Sequence, residues 1–333
     1  VHRPFFLCMS YAMPVPAGIC RRCFFPAFLL PIANGEERLY HERETILDEA
    51  EDTMGKFDSM LLLSDYDNTL LYTEEALRDG TPRPPMSRRN LDAIARWMEE
   101  GGRFAVATGR ALEAFRRHAH EVPMNAPIIV DNGGAIYDLE QQRYVVKNFL
   151  PDSAPAHIAA MAERFPGVAL ELYPDDNFVQ VYRPTAWNER HAKLTGARYE
   201  EVTVLEPEKF PQPLVKALFV GEKEELDALR SAMKAEGLTA YYELIFSSGE
   251  LLELTAKGAN KGEMALRLKR ELGCHTLLCA GDHMNDLPML AAADRAFCPA
   301  NAVPEVLSSG ATVVCHCLEG AIGEIIERIE KEG

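Results

Sequence analysis

Basic residues are in short supply in this chain: 35 Lys and Arg stand against 51 Asp and Glu over 333 residues, a formal net charge of −16. Such a surface repels nucleic acid and anionic membranes, and no basic patch compensates for it. The ~18 uninterrupted apolar residues of a membrane span are also missing, because the apolar stretch from Phe5 to Pro31 is broken by Pro14, Pro16, Pro26 and by Arg21 and Arg22. A weak basic start and the lack of a clean small-residue cleavage site argue against a signal peptide, with a signal or anchor as the alternative. The expectation is an N-terminal extension over residues 1–56, disordered or not part of the native fold, either loosely attached or a translated upstream segment of a protein that begins at Met54.

Paired metal-ligand spacing is absent as well. Cys20 and Cys23 have the spacing of half a zinc knuckle, but no second Cys or His pair follows at a suitable distance. The eight cysteines make no disulfide framework: Cys274, Cys279, Cys298 and Cys315 sit in or beside apolar runs, with Cys317 close by, where a thiol behaves as a small hydrophobe. A reducing, cytoplasmic setting is expected. No tandem repeat or low-complexity tract occurs. What is present is an ordinary globular balance, 47% hydrophobic and 26% charged, in a length that suggests about two domains.

Three apolar runs each end on a side chain suited to phosphate chemistry. Leu61–Thr69 (LLLSDYDNT) ends on Asp65 and Asp67, Arg103–Arg110 (RFAVATGR) on Thr108 followed by Gly109, and Leu277–Asp286 (LLCAGDHMND) on Asp282, Asn285 and Asp286. In an open parallel sheet the ligand crevice lies beyond the carboxyl ends of the strands, so these termini are expected to converge. A carboxylate can approach a phosphoester only if a cation neutralises the repulsion. Hard oxygen ligands suit Mg²⁺, and the expected metal set is Asp65, Asp67 and Asp282, with a main-chain carbonyl near Asp67 contributing. Asp65 is the candidate nucleophile, and Asp67 the acid for the leaving alkoxide and then the base for water. Thr108, with neighbouring N–H groups such as that of Gly109, would hold a phosphoryl oxygen. The positive side chain is expected from Leu254–Gly262 (LTAKGANKG), with Lys261 favoured because Asn260 can cap the helix that follows; Lys257 is the alternative.

The rest of the chain reads as α/β. Helices are expected over Ser87–Glu100 and Ala111–His120, a strand over Pro127–Asp131, and a hairpin from Ile136 to Val146. Alternation of this kind argues for a doubly wound, Rossmann-like parallel sheet. Between about Leu150 and Ser248 the pattern becomes α+β: helix Ala154–Arg164, paired strands Val168–Tyr173 and Phe178–Tyr182, a further helix, strand Val215–Val220, helix Glu224–Glu236 and strand Ala240–Phe246.

These motifs, in this order, resemble the haloacid dehalogenase superfamily, and in detail its Cof-type phosphatase branch. The resemblance is carried by Asp65-x-Asp67, Thr108-Gly-Arg, Lys261-Gly and Gly281-Asp282-x-x-Asn285-Asp286, by Asn132-Gly133, and by Asn301-Ala302 and Glu319-Gly320 near the C-terminus. It covers roughly Phe57 to the end and implies a core over 57–149 and 249–333 with an inserted α+β cap over 150–248 that selects the leaving group. A lone Asp-x-Asp is usually a turn, but the ordered set of four is not a turn pattern. Asn285 and Asp286 could merely cap a helix; a supporting role, orienting Asp282 and bonding the phosphate, is favoured. Asn132 reads equally as a substrate contact and as a turn former.

The expected activity is Mg²⁺-dependent hydrolysis of small phosphorylated metabolites, with sugar phosphates leading and flavin or pyridoxal phosphate as competitors. A phosphomutase or phosphotransferase is the runner-up, and a non-catalytic phosphometabolite sensor the alternative from another class. Cap residues Tyr173, Asn177, Lys216 and Tyr241 are the candidates for specificity. If residues 1–53 lie outside the catalytic fold, a chain shortened to begin at Met54 is expected to melt cooperatively and keep its turnover. Loss of both in thermal and activity assays would show that the segment packs on the core.

Overall fold

The computed structural model describes residues 55–79, 82–175, 178–189 and 199–332. The expected extension over 1–56, except its last two residues, the Cys20 and Cys23 pair, Asn177, and most of the helix expected after Tyr182 lie outside the described residues. In chain order, β1 (Met60–Ser64) and β2 (Arg103–Val106) are followed by β3 (Ile128–Val130), β4 (Ala135–Asp138) and β5 (Arg143–Lys147). Six strands come next: β6 (Ala169–Pro174), β7 (Val179–Tyr182), β8 (Tyr199–Val202), β9 (Leu214–Val220), β10 (Tyr242–Ser248) and β11 (Leu251–Ala256). The chain then returns through β12 (Thr276–Ala280), β13 (Arg295–Pro299) and β14 (Thr312–Val314).

The first sheet is parallel throughout, in the order β14-β13-β12-β1-β2. Its strands read as near-continuous apolar runs because both faces are covered. Along β1 the alternation is explicit. Leu62 points into a cluster with Ile94 and Trp97 of helix Arg88–Glu99 and Ile322, Ile325 and Ile326 of helix Ala321–Glu332. Leu61 and Leu63 point the other way, onto Met264, Ala265 and Leu268 of helix Lys261–Glu271 and Met289 and Leu290 of helix Leu287–Ala292. Helices on both faces make this the doubly wound α/β architecture that the alternation predicts.

The segment expected as a hairpin pairs back as a three-stranded antiparallel sheet, β3-β4-β5, joined to the end of β2 through a parallel bridge between Ala107 and Ile129. The helix expected over Ala111–His120 is shorter, Leu112–Arg116. Its apolar stripe ends at Phe115, and Arg116, Arg117 and His118 offer the next turn nothing to bury.

The second sheet has the order β10-β11-β9-β6-β7-β8 and is antiparallel except for the β7–β8 pair. Helices Ala154–Arg164 and Lys223–Ala235 cover one face, burying Ile158, Met161, Leu226 and Leu229 against Leu170, Phe219 and Leu254. The opposite face carries Val179, Val181 and Leu218 together with buried Glu171, Lys216 and Glu253. Strand β11, beyond the expected boundary at residue 248, hydrogen-bonds between β10 and β9 and so belongs to this sheet.

Leu62 is fully buried on β1, between β12 and β2 of the first sheet. Leu62→Ala is expected to destabilise the protein by about 2–5 kcal/mol, read as a lower denaturant midpoint with an unchanged slope. A change under about 1 kcal/mol would show that this layer repacks freely.

Candidate active site

Three of the four motifs leave the ends of first-sheet strands: Asp65 after β1, Thr108 after β2 and Asp282 after β12. The Asp65 N–H donates to the carbonyl of Ala280 at 2.8 Å, which sets the residue after β1 beside the end of β12. The Thr108 N–H donates to Ile129 at 2.8 Å, and the Thr108 carbonyl accepts from the Asn132 N–H at 3.1 Å. Asn132 has φ +54, a left-handed conformation that Asn tolerates better than most residues. Gly133 follows at φ +99, and a Cβ there would lie 2.3 Å from the Asn260 carbonyl carbon, so the strand end and the start of helix Lys261–Glu271 can approach only across a glycine. Asn260 caps that helix as expected, its side chain accepting from the Glu263 N–H at 3.0 Å.

Lys261 is wholly buried, and its Nζ donates to Asp65 Oδ1 and to Asp286 Oδ1, both at 2.6 Å. The other Asp286 oxygen accepts from the N–H groups of Asp282 and His283 at 3.0 and 3.1 Å. Asp282 Oδ1 accepts from the Thr69 hydroxyl at 2.7 Å. Of the two lysines, then, Lys261 lies in this network, whereas Lys257 pairs with Glu243 at 3.0 Å with more than half its side chain exposed.

The electrostatics follow from burial. Burial, and then the neighbouring Asp286, push the Asp65 carboxyl up to about 7, although Lys261 opposes them. Burial and Asp65 push Asp282 well above the carboxylate range. Burial works against the Lys261 charge, but Asp286 and Asp65 hold its ammonium protonated above the ordinary lysine range. One ammonium among three carboxylates leaves the cluster short of positive charge. Ligand oxygens of Asp65, Asp282 and Asp286 lie within 4.8 Å of one another. A hard, all-oxygen donor set that is deficient in positive charge fits a divalent cation such as Mg²⁺.

Asp67 stands apart from that cluster. Its two oxygens accept from Arg110 Nη2 and Nε at 2.7 and 2.8 Å. Burial alone would raise this carboxyl, but the Arg110 charge and hydrogen bonds outweigh it and hold Asp67 below its ordinary value. The Thr108 hydroxyl accepts from the Arg110 N–H at 3.1 Å. Asn285 Nδ2 donates to Asn132 Oδ1 at 2.9 Å, and among the described residues the buried Asn285 Oδ1 has no partner. Asn301 Nδ2 donates to the Asn68 carbonyl at 2.8 Å, tying the C-terminal segment to the turn after Asp67.

The candidate specificity residues divide. Lys216 Nζ reaches the Gly109 carbonyl at 3.2 Å. The Tyr173 ring lies 4.7 Å from Lys216 Nζ, and its hydroxyl donates to Glu171 at 2.5 Å. Tyr241 is half exposed and rests on His157, with ring centroids 5.6 Å apart. Three contacts escaped the sequence reading: the Thr69 hydroxyl on Asp282, the Arg110 fork on Asp67, and Glu253, which accepts from Asn132 Nδ2 at 2.8 Å. Thr69 and Arg110 lie inside quoted motifs and were within reach; Glu253 carries no local signal.

The family model for haloacid dehalogenase-like hydrolases matches residues 62–326. The chain is 26% identical over 267 residues to an HMP-PP phosphatase of Cronobacter sakazakii, covering 79% of this chain and 92% of that protein. Among solved structures it is similar to a haloacid dehalogenase-like hydrolase from Bacteroides thetaiotaomicron, with TM-score 0.66 and 23% identity over 82% of this chain and 99% of that one. It is similar also to a HAD subclass IIB sugar phosphatase, with TM-score 0.67 and 17% identity over 81% and 99% of the two chains.

Lys261→Met would leave Asp65 and Asp286 buried without their shared cation. The expected loss is about 3–5 kcal/mol of stability, measured by denaturant unfolding, together with all turnover. Lys257→Met is expected to stay within about 0.5 kcal/mol of the parent protein. Equal effects of the two substitutions would refute the assignment of Lys261.

Proposed function

This chain belongs to the haloacid dehalogenase-like hydrolases, and from that premise we propose that it is a cytoplasmic, Mg²⁺-dependent phosphomonoesterase acting on small phosphorylated metabolites, sugar phosphates foremost. The observation that carries the reading is the buried Asp65 carboxylate, held by Lys261 through one oxygen and flanked by Asp282 and Asp286. Relatives named as phosphatases support it. In this reading residues 57–149 and 249–333 form the catalytic core and 150–248 the cap, except that β11 (Leu251–Ala256) pairs within the second sheet and goes with the cap.

In the first half-reaction an Asp65 oxygen attacks phosphorus, the bond from phosphorus to the leaving oxygen breaks, and Asp67 gives that oxygen a proton. In the second, water attacks the aspartyl-phosphate, Asp67 takes a proton from it, and inorganic phosphate departs as the Asp65 carboxylate is restored. The structure has Asp67 ionised against Arg110, the form that serves as base. For the first half Asp67 must carry a proton, and an arriving phosphate is the group that can compete for the Arg110 fork. Thr108, Gly109 and Asn132 line the side where phosphoryl oxygens would sit, and Lys261 keeps Asp65 oriented. Asp65, Asp282 and a main-chain carbonyl near Asp67 would hold Mg²⁺, which supplies charge neutralisation at the phosphoryl group. Asp286 fixes the Asp282 loop, and Asn285 Oδ1, without a partner among the described residues, would serve as an acceptor beside the metal site.

EDTA is expected to abolish phosphate release and Mg²⁺ to restore it, and Asp65→Asn to be folded but inactive. Full activity in excess chelator would remove the metal from the mechanism. Asp67→Asn should lose on the order of 10²–10⁴ in kcat/KM on a sugar phosphate, and less on an aryl phosphate, whose leaving oxide needs little protonation. On the aryl phosphate a burst followed by slow turnover is expected, because the base for water is gone. Equal losses without a burst would place the general acid elsewhere.

A further inference from the structure

Strands β9 and β11 set one buried ion pair of the second sheet against the core. Lys216 lies opposite Thr255 and Glu253 opposite Leu218, so the two are diagonal neighbours on one face. Lys216 Nζ donates to Glu253 Oε2 at 2.9 Å, and both side chains are 5% exposed. Neither contact ends at the sheet. Lys216 also donates to the Gly109 carbonyl at 3.2 Å, and the second Glu253 oxygen accepts from Asn132 Nδ2 at 2.8 Å. Asn132 is held from its other side by Asn285 at 2.9 Å. Its amide packs so closely on Gly109 that a Cβ there would meet it at 2.9 Å.

Taking two charges out of water is costly, and an apolar pair would seat one sheet on another at least as firmly. What the ion pair adds is direction. The Asn132 amide could turn either way in its pocket, but a carboxylate on one side and a side-chain amide donor on the other fix its nitrogen toward Glu253 and its oxygen toward Asn285. The Gly109 carbonyl, turned toward Lys216, sets the orientation of the Gly109–Arg110 peptide, whose N–H donates to the Thr108 hydroxyl. The remaining charges around the pair are Asp131, 3.7 Å from Lys216 Nζ, and Glu171, whose carboxylate takes the Tyr173 hydroxyl and Asn188 Nδ2.

We propose that Glu253 and Lys216 are positioning residues that couple the seating of the cap sheet to assembly of the phosphate pocket. They act through Asn132 and the Thr108–Gly109 turn and not by touching the leaving group. The inference rests on the phosphatase reading for the identity of the anion. It implies that the pocket for the phosphoryl group is complete only while β9 and β11 lie on the core, whatever the substrate carries beyond its phosphate.

The test uses the full chain with Mg²⁺, inorganic phosphate as a binding probe in calorimetry, and a small aryl phosphate as substrate. Glu253→Ala and Lys216→Met are expected to weaken phosphate binding and to lower kcat/KM on the aryl phosphate by roughly 10–100-fold. Glu253→Gln, which keeps an acceptor for Asn132, should recover most of the loss. In a double-substitution cycle, adding Glu253→Ala to Asn132→Ala should cost little more than Asn132→Ala alone. Should the alanine variant fail to fold, Glu253→Gln against Lys216→Met carries the same comparison: phosphate binding must fall more in the second. Unchanged phosphate binding and aryl turnover, with losses only on bulky sugar phosphates, would overturn the proposal and make the pair a leaving-group contact. Fully additive losses in the cycle would overturn it too. A parent protein that binds phosphate but hydrolyses nothing would refute the phosphatase reading, and the binding comparison alone would then decide the coupling.

Discussion

The buried ammonium of Lys261 is the contact on which the site depends. It joins the start of a helix, the end of β1 and the turn after β12 through two bonds of 2.6 Å. Asp286 passes that anchor on, because its second oxygen receives the N–H groups of Asp282 and His283. Without the ammonium, three carboxylates would crowd a pocket from which water is largely excluded, and each would resist ionisation. With it the cluster is still short of positive charge, which turns a structural device into a cation site. Burial first, and then that deficiency, raise Asp65 to about 7 and push Asp282 well above the carboxylate range: the protein's own buried cation serves orientation and leaves neutralisation to a ligand.

That arrangement is possible only because the parallel sheet brings strand ends together at one edge. Side-chain alternation along β1 commits Leu61 and Leu63 to one layer of helices and Leu62 to the other, so the strand is pinned from both sides and Asp65 emerges in one position. The two carboxylates of the Asp-x-Asp pair then meet different partners. Asp65 faces Lys261, while Asp67 faces the Arg110 fork. Two aspartates two residues apart thereby acquire opposite shifts, one raised and one lowered, and opposite shifts are what separate roles for neighbouring carboxylates require.

Much of this was legible in the sequence because the signals are local. A continuous apolar run ending on Asp65, Thr108 or Asp282 announces a buried parallel strand and its functional tip, and Asn260 before Lys261 announces a capped helix start. Lys261 could be preferred to Lys257 on that cap alone. Arg110 itself was within reach, inside the Thr108-Gly-Arg motif, but its pairing with Asp67, 43 residues away, was not legible: nothing local says whether a carboxylate turns toward a metal or a guanidinium. Strand β11 was misjudged as core because its residues follow the insertion in sequence, while its hydrogen bonds go to β9 and β10. Glu253 is the least visible of all. An acidic residue alternating with leucines in a strand reads as a solvent-facing position, and only the fold shows that this face lies against Asn132.

Once Glu253 and Lys216 are assigned to the phosphate side, discrimination among leaving groups falls to the rest of the same face. Next to the pair stands Glu171, whose buried carboxylate accepts from the Tyr173 hydroxyl and from Asn188 Nδ2. A net charge of −16 over the whole chain is screened within about 8 Å at physiological ionic strength, so it slows the approach of an anion without governing what happens in the pocket. Inside, Lys216 Nζ lies 2.9 Å from Glu253 and 3.7 Å from Asp131. In the phosphatase reading proposed above, the motifs bear on what is cleaved, and the polar face of the second sheet on what it is cleaved from.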